Sequence, residues 1–200
     1  ILDEELENQV PWLLPRLYWR EKVAMLSDKF MLEEAKRQIK SADGKYEVKG
    51  SISMDDQNFT IVARADRINI KTDGTLSIFD YKTGMVPTPA QQRLFDKQLY
   101  LMAAIAEGGG FEDISPSLVS EAAFISLTPP HSVRSAPFEE ESINVAWEKF
   151  KKLISSYRIK KQGYTPRRAL FKKDDVSDYD HLSRFGEWNI TKDPTPEDLL

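Results

Sequence analysis

An acid and a lysine stand two residues apart at the end of one apolar segment, IFDYKTG at residues 78–84. Successive side chains of a strand point to opposite faces, so Asp80 and Lys82 share one face and Tyr81 takes the other. Buried charges are costly unless they are paired or put to use. Two interpretations are open: an internal ion pair at a strand end, or a metal-binding acid beside a lysine that handles charge at a reacting phosphate.

A second acid, Asp66, lies near the end of the preceding predicted strand. One metal ion can contact Asp66 and Asp80 only if both side chains lie on the same sheet face, and directly paired residues of an antiparallel hairpin do so. A two-residue turn at 73–74 would place Asp66 opposite Tyr81, on the wrong face. A three-residue loop at 72–74, with Gly74 as its left-handed residue, places Asp66 opposite Asp80. We therefore predict this loop, or a bulge that shifts the register by one residue.

The elements that must position these residues follow from hydrophobic periodicity and turn signals. We predict helices over residues 15–39, 88–107 and 141–164, with Gly108–Gly110 ending the second. The sequence also predicts a turn at 42–45, an antiparallel sheet from strands in 46–54, 58–70 and 74–82, and a further strand within 117–128.

The composition is that of a globular protein of 200 residues with a net charge of −4 and no cysteine. The missing cysteines exclude disulfides, cysteine-ligated zinc and iron–sulfur clusters within this chain. No apolar run approaches the length of a membrane span, and no signal peptide is recognisable. The first residue is Ile, so we expect a single domain over residues 1–200 cut from a longer chain, located in the cytoplasm.

A basic segment interrupts the otherwise acidic chain. Residues 148–173 contain ten Lys or Arg residues and one acid, and Lys160, Lys161, Arg167 and Arg168 belong to this run. Such a block can attract the phosphates of a nucleic acid. The alternative is a solvated helix face followed by a basic loop.

These motifs together resemble a known family. The stretch ARADRINIKTDGTLSIFDYKTG at 63–84, with KQLYLMAA at 97–104, is similar to the PD-(D/E)xK nuclease superfamily in its RecB-like branch. GYTPRRALF at 163–171 and DYDHLSRFGEW at 178–188 extend the resemblance over nearly the whole chain, to the C-terminal nuclease domains of the alphaproteobacterial AddB family. The resemblance implies a restriction-endonuclease-like α/β core: a mixed central sheet with an antiparallel hairpin, flanked by helices.

The resemblance also implies roles for the residues. Asp66, Asp80 and the backbone carbonyl of Tyr81 would bind Mg²⁺, with Mn²⁺ as a substitute, since Mg²⁺ prefers oxygen ligands. Lys82 would orient or deprotonate a water molecule, or stabilise charge on the phosphate. Gln98 would bind near the lysine or the DNA backbone. DNA would be the substrate, and the AddA helicase–nuclease subunit would be the partner.

The chain departs from the family pattern at three points. Met102 stands where the Gln-led helix usually carries Tyr, and Tyr100 is displaced from that position by two residues. The metal-liganding His of the family is expected upstream of Ile1, since His131 and His181 lie in other contexts and are expected to be surface or loop residues. The four-cysteine iron–sulfur cluster of several relatives has no counterpart here.

Three functions are compatible with a fold of this family. The one we favour is a Mg²⁺-dependent DNA exonuclease that acts on one strand of unwound duplex during double-strand break repair by recombination. A catalytically silent structural or DNA-guiding module, which retains the nuclease fold, is the second. A Holliday-junction resolvase of the same superfamily is disfavoured by the C-terminal resemblance.

Overall fold

The computed structural model describes residues 2–128, 130–160, 176–189 and 191–192. Its internal contacts divide the chain into two units, Ile1–Ile143 and Asn144–Leu200. The first unit contains the sheet and every residue of the Asp66–Asp80 hairpin. The second contains nearly all of one helix and a turn-rich stretch at 176–189.

The centre of the first unit is a mixed five-stranded sheet in the order β1-β2-β3-β4-β5. Strands β3 and β4 are parallel, and the other neighbouring pairs are antiparallel. The strand bounds are β1 Ser41–Met54, β2 Phe59–Lys71, β3 Leu76–Lys82, β4 Val119–Ser126 and β5 Val133–Ser135. A mixed sheet with an antiparallel hairpin and flanking helices is the α/β fold that the sequence predicted.

The helices partly follow the predicted bounds. They are α1 Leu2–Gln9, α2 Leu13–Ile39, α3 Pro89–Leu94, α4 Gln98–Glu107 and α5 Ile143–Tyr157. The single helix predicted at 88–107 is wrong, because the chain leaves helical geometry at Phe95 and restarts at Gln98. The predicted turn at 42–45 is also wrong: these residues lie in β1, which absorbs them through a register shift between Ser41 and Asp43. Helix α1 and strand β5 were not predicted.

The hairpin between β2 and β3 has the predicted three-residue loop. The Lys71 N–H donates to the Thr75 carbonyl at 2.8 Å, and Gly74 adopts a left-handed φ of 83°. Farther along, Arg67 pairs with Phe79 in the same register. This is the predicted register, and continued by one residue beyond its last pair it would place Asp66 beside Asp80 on one sheet face.

The two faces of the sheet pack against different helices. On one face Phe79, Ala123 and Ile125 form a buried cluster, and Phe30 of α2 packs against it. On the other face lies α4, whose residues 99–106 are almost all buried. The hairpin end that carries the two acids faces α4, since Asp80 and Gln98 are hydrogen-bonded.

A buried polar network joins α2 to the strands. The Arg67 guanidinium is 3% exposed and donates to Glu34 at 2.5 Å and to Asn69 at 2.7 Å. It also donates to the Tyr81 hydroxyl at 3.3 Å. Because loss of one partner leaves the other charge buried, breaking such a pair costs about 3–5 kcal/mol. The network therefore holds α2, β2 and β3 in one arrangement.

The close approach of Gly110 to β1 gives a stability prediction. A Cβ atom at Gly110 would lie 2.2 Å from the Ser51 carbonyl oxygen, which is backbone and cannot move aside alone. The Ser51 N–H donates to the Gly110 carbonyl at 2.9 Å, so the contact is part of the sheet edge. We expect Gly110→Ala to lower the free energy of unfolding in urea by about 1–3 kcal/mol, as overpacking does. Gly84→Ala is the control, since a Cβ there meets no atom within 4 Å.

The Glu34–Arg67 pair gives a pH prediction. Burial raises the pKa of Glu34, but hydrogen bonds from Arg67 and Arg37 outweigh it and hold the pKa below the ordinary 4.5. An acid with a lowered folded pKa stabilises the fold above its unfolded pKa and loses that contribution as the pH falls through the folded value. The stability difference between wild type and Glu34→Gln should therefore shrink as the pH drops below 4.5. A difference that is constant with pH would contradict this.

Candidate active site

The two acids meet at the open end of the β2–β3 hairpin. Hydrogen-bonded and non-hydrogen-bonded pairs alternate along an antiparallel ladder, and Lys71–Thr75 is hydrogen-bonded. Counting by this alternation, Arg67–Phe79 is the last pair of the ladder, and Asp66 and Asp80 follow it directly. The Asp66 carboxylate accepts the backbone N–H of Tyr81 at 2.7 Å, which fixes it beside β3.

Asp80 is buried, with only 4% of its surface exposed. Its Oδ1 accepts a hydrogen bond from the Gln98 amide at 2.5 Å. Its Oδ2 lies 2.8 Å from the Lys82 ammonium, but this contact lacks hydrogen-bond alignment and Oδ2 has no aligned donor. The ion pair that the sequence left open as one interpretation is thus present in the structure.

The negative charge of Asp66 adds to the free-energy cost of ionising Asp80. Burial raises the pKa of Asp80, and the nearby Asp66 carboxylate raises it further. The Lys82 ammonium and the Gln98 amide act in the opposite direction but do not cancel the rise. Two carboxylates that oppose each other's ionisation form a site where a cation is favoured.

Besides Asp80, Lys82 has two neighbours on the α4 face, Gln98 and Phe124. Its ammonium donates to the Gln98 carbonyl oxygen at 2.9 Å and lies 5.2 Å from the centre of the Phe124 ring. Because the Gln98 amide contacts Asp80 with its NH₂ and Lys82 with its oxygen, one side chain orients both charges. About 30% of the Lys82 side chain remains exposed, so the ammonium is accessible from solvent.

The donor set suits a hard divalent cation. The Oδ2 atom of Asp80, which accepts no hydrogen bond, and the carboxylate of Asp66 are oxygen ligands of the kind that Mg²⁺ and Mn²⁺ prefer. In an extended strand a residue's N–H and C=O point to the same side, so the Tyr81 carbonyl faces the side where Asp66 lies. Within the described residues, no group of three or more His, Cys, Asp or Glu side chains is arranged so that it could hold a metal ion. The residues present therefore offer two carboxylates and one peptide oxygen.

Tyr100 lies in the buried core, and most of the predicted DNA-binding residues lie outside the described part of the chain. Tyr100 donates to the Pro137 carbonyl at 3.1 Å, and burial with the nearby Glu141 and Glu140 raises its pKa to about 12. It therefore serves the core. Lys160 is exposed beyond α5, whereas Lys161, Arg167 and Arg168 lie outside the described residues.

The two histidines differ from each other. His181 is exposed, as expected. His131 lies in the loop after β4 but is 5% exposed, contrary to the surface position that the sequence allowed. Its Nδ1 is 2.8 Å from the Ser126 carbonyl, and its ring packs edge-on against Phe30.

Sequence reasoning missed the polar support behind the acids. Arg67 and Glu34 fix Tyr81 from the α2 face, while the Tyr81 N–H fixes Asp66. A signal was present, since Arg67 follows Asp66 in a strand and Glu34 falls on the buried stripe of α2. Periodicity alone does not reveal which helix will pair with which strand.

Comparisons with known proteins give one matching family and several relatives. The family model of the PD-(D/E)XK nuclease superfamily matches residues 1–169. An uncharacterized protein of Rickettsia bellii is 32% identical over 96 residues, which are 46% of this chain and 12% of that protein. An uncharacterized protein of Rickettsia typhi is 33% identical over 72 residues, which are 35% of this chain and 8% of that protein. An uncharacterized protein of Rickettsia conorii is 30% identical over 96 residues, which are 46% of this chain and 12% of that protein.

The relatives are much longer than the matched segment, which spans about a tenth of their length. Among the helices of the described residues, none is both long and apolar enough to cross a membrane. The chain belongs to the PD-(D/E)XK nuclease superfamily.

Proposed function

We propose that this domain is a Mg²⁺-dependent DNA exonuclease, a phosphodiester hydrolase whose catalytic residues are Asp66, Asp80, Lys82 and Gln98. The observation that carries the proposal is the hairpin register, which puts both acids on the α4 face together with the lysine. Membership of the nuclease superfamily supports nucleic-acid cleavage as the class of reaction.

Each residue has a role that its contacts support. Asp66, Asp80 and the Tyr81 carbonyl would hold the cation, which when bound polarises the scissile phosphate and lowers the pKa of a coordinated water. Lys82 orients or deprotonates the attacking water, or donates to a phosphate oxygen as negative charge develops there. Gln98 positions Lys82 and Asp80 through its amide.

The substrate strand would be held by the basic run at 148–173. Lys160, Lys161, Arg167 and Arg168 are the DNA-binding residues that we propose, because cations in such a block neutralise backbone phosphates. Lys160 is exposed, as this role requires.

We further propose a place in a larger assembly. The C-terminal segments resemble those of the AddB family, so the full protein would work with an AddA-type helicase–nuclease subunit in recombinational repair of DNA breaks in the cytoplasm. The length of the relatives fits a nuclease domain carried within a larger polypeptide. The alternative is a silent module that guides DNA, and the ion pair between the buried Asp80 and the partly exposed Lys82 is the observation that favours it.

Removal of one carboxylate tests catalysis. Asp80→Asn should lower Mg²⁺-dependent cleavage of single-stranded DNA at least about 100-fold, since transition-state charge stabilisation of this kind contributes that much. Its folding midpoint should stay unchanged or rise, because the buried charge with the raised pKa is gone. Asp56→Asn, an exposed acid of the same type, is the control. Equal cleavage by wild type and Asp80→Asn would contradict the catalytic role of Asp80, and absence of cleavage by wild type would support the silent module.

Charge reversal tests the DNA-binding segment. We expect the quadruple variant with Glu at 160, 161, 167 and 168 to bind single-stranded DNA more weakly, with a shallower salt dependence. The slope of log affinity against log salt should fall by about 0.7 for each phosphate of a single strand that the variant no longer neutralises. Fluorescence anisotropy at several salt concentrations measures both quantities. An unchanged affinity would show that the segment is only a solvated face.

A further inference from the structure

A cavity of about 210 Å³ lies on the sheet face opposite the two acids. It opens between the C-terminal end of α2 and the strands, and Phe79, Asn69 and Ser77 form its floor. These floor residues occupy odd positions of the β2–β3 ladder, whereas Asp66 and Asp80 occupy even ones. The cavity is therefore separate from the candidate active site.

The cavity wall carries more cations than acids. Lys36, Arg37, Lys40 and Lys71 line it, against Glu33 and Glu121. This excess is local, since the chain as a whole carries −4.

Two of these cations are incompletely neutralised. Lys71 lies 3.8 Å from Glu121, which is too long for a hydrogen bond, and donates instead to the neutral Ser120 hydroxyl at 2.9 Å. Within the described part of the chain, Lys40 forms no ion pair with an acid. By contrast Lys36 is paired with Glu33 at 3.0 Å.

Arg37 supplies positive charge to the same wall. Its Nε donates to Glu34 at 3.0 Å, and its side chain is only 11% exposed. Its Nη2 is buried and has no hydrogen-bond partner. Because Nη2 is enclosed by protein atoms, Arg37 contributes its positive charge to the cavity wall rather than an open hydrogen-bond donor.

The floor adds a neutral donor. The Asn69 carbonyl oxygen already accepts from Arg67 at 2.7 Å, which directs the amide of Asn69 and leaves its NH₂ to donate. The guanidinium of Arg37 also stacks over the Phe79 ring at 5.7 Å, which keeps it at the cavity wall. Positive charge and one amide donor thus surround one space, from the end of α2, from Lys40 at the junction of α2 and β1, and from strand β2.

We propose that this cavity binds a phosphate group. A phosphate carries negative charge and several acceptor oxygens in different directions, which matches two ammonium groups and an amide donor beside the charge of a guanidinium. The phosphate comes either from the backbone of a nucleic-acid strand or from a free phosphate or nucleotide. The site goes beyond the proposed nuclease chemistry and does not require it.

The test is a titration with inorganic phosphate in EDTA, followed by amide chemical shifts in NMR spectra. EDTA removes divalent cations, so a phosphate bound through a metal at Asp66 and Asp80 does not contribute. Wild type should bind saturably, with the largest shifts around Arg37 and Lys71.

Lys40→Gln with Lys71→Gln should weaken binding at least about tenfold, since two charge-assisted hydrogen bonds to the phosphate are removed. Lys22→Gln with Lys49→Gln, which lie outside the cavity and remove the same charge, should change it less than about twofold.

A second titration with a short single-stranded oligonucleotide identifies the source. If the cavity variant also weakens oligonucleotide binding and phosphate competes with it, the ligand is a strand phosphate. If oligonucleotide binding is unaffected, the ligand is a free phosphate or nucleotide.

Absence of saturable phosphate binding to wild type, or equal weakening by both double variants, would overturn the proposal. Cleavage by wild type and Asp80→Asn is measured separately, so the nuclease proposal can fail without this one.

Discussion

The register of the β2–β3 hairpin is the constraint on which the rest of the site depends. Side chains alternate between sheet faces, so a shift by one residue would send Asp66 away from Asp80 and Lys82. The three-residue loop with Gly74 in the left-handed conformation sets that register. The Asp66 carboxylate reinforces it by accepting the Tyr81 N–H at the point where the backbone ladder ends.

The opposite sheet face supplies the rigidity that this arrangement needs. Arg67 is buried with Glu34 and Asn69 and reaches the Tyr81 hydroxyl, so Tyr81 is fixed both through its side chain and through its backbone. On the α4 face Gln98 holds Asp80 and Lys82 together. A charged site between two packed layers tolerates little movement, because each unpaired charge would be costly there.

Sequence patterns predicted much of this fold, and their failures have physical reasons. The strands around Asp66 and Asp80 have strong apolar runs and a glycine turn, so both their existence and their register were predictable. The break at Phe95–Lys97 was not, since a continuous helical pattern hid it and the Asp96 carboxylate caps the restart through the Gln98 N–H. The pairing of Glu34 with Arg67 joins residues far apart in the chain, and local patterns carry no information on such contacts. The metal and DNA contacts of the site remain predictions.

Anomalous diffraction from crystals soaked in Mn²⁺ is the most direct test of the shared metal site. We predict one peak on the α4 face of the sheet, about 2.0–2.6 Å from a carboxylate oxygen of both Asp66 and Asp80. The Tyr81 carbonyl oxygen should lie within the same range. A peak that contacts only one of the two acids, or one located elsewhere while this site stays empty, would contradict the shared site.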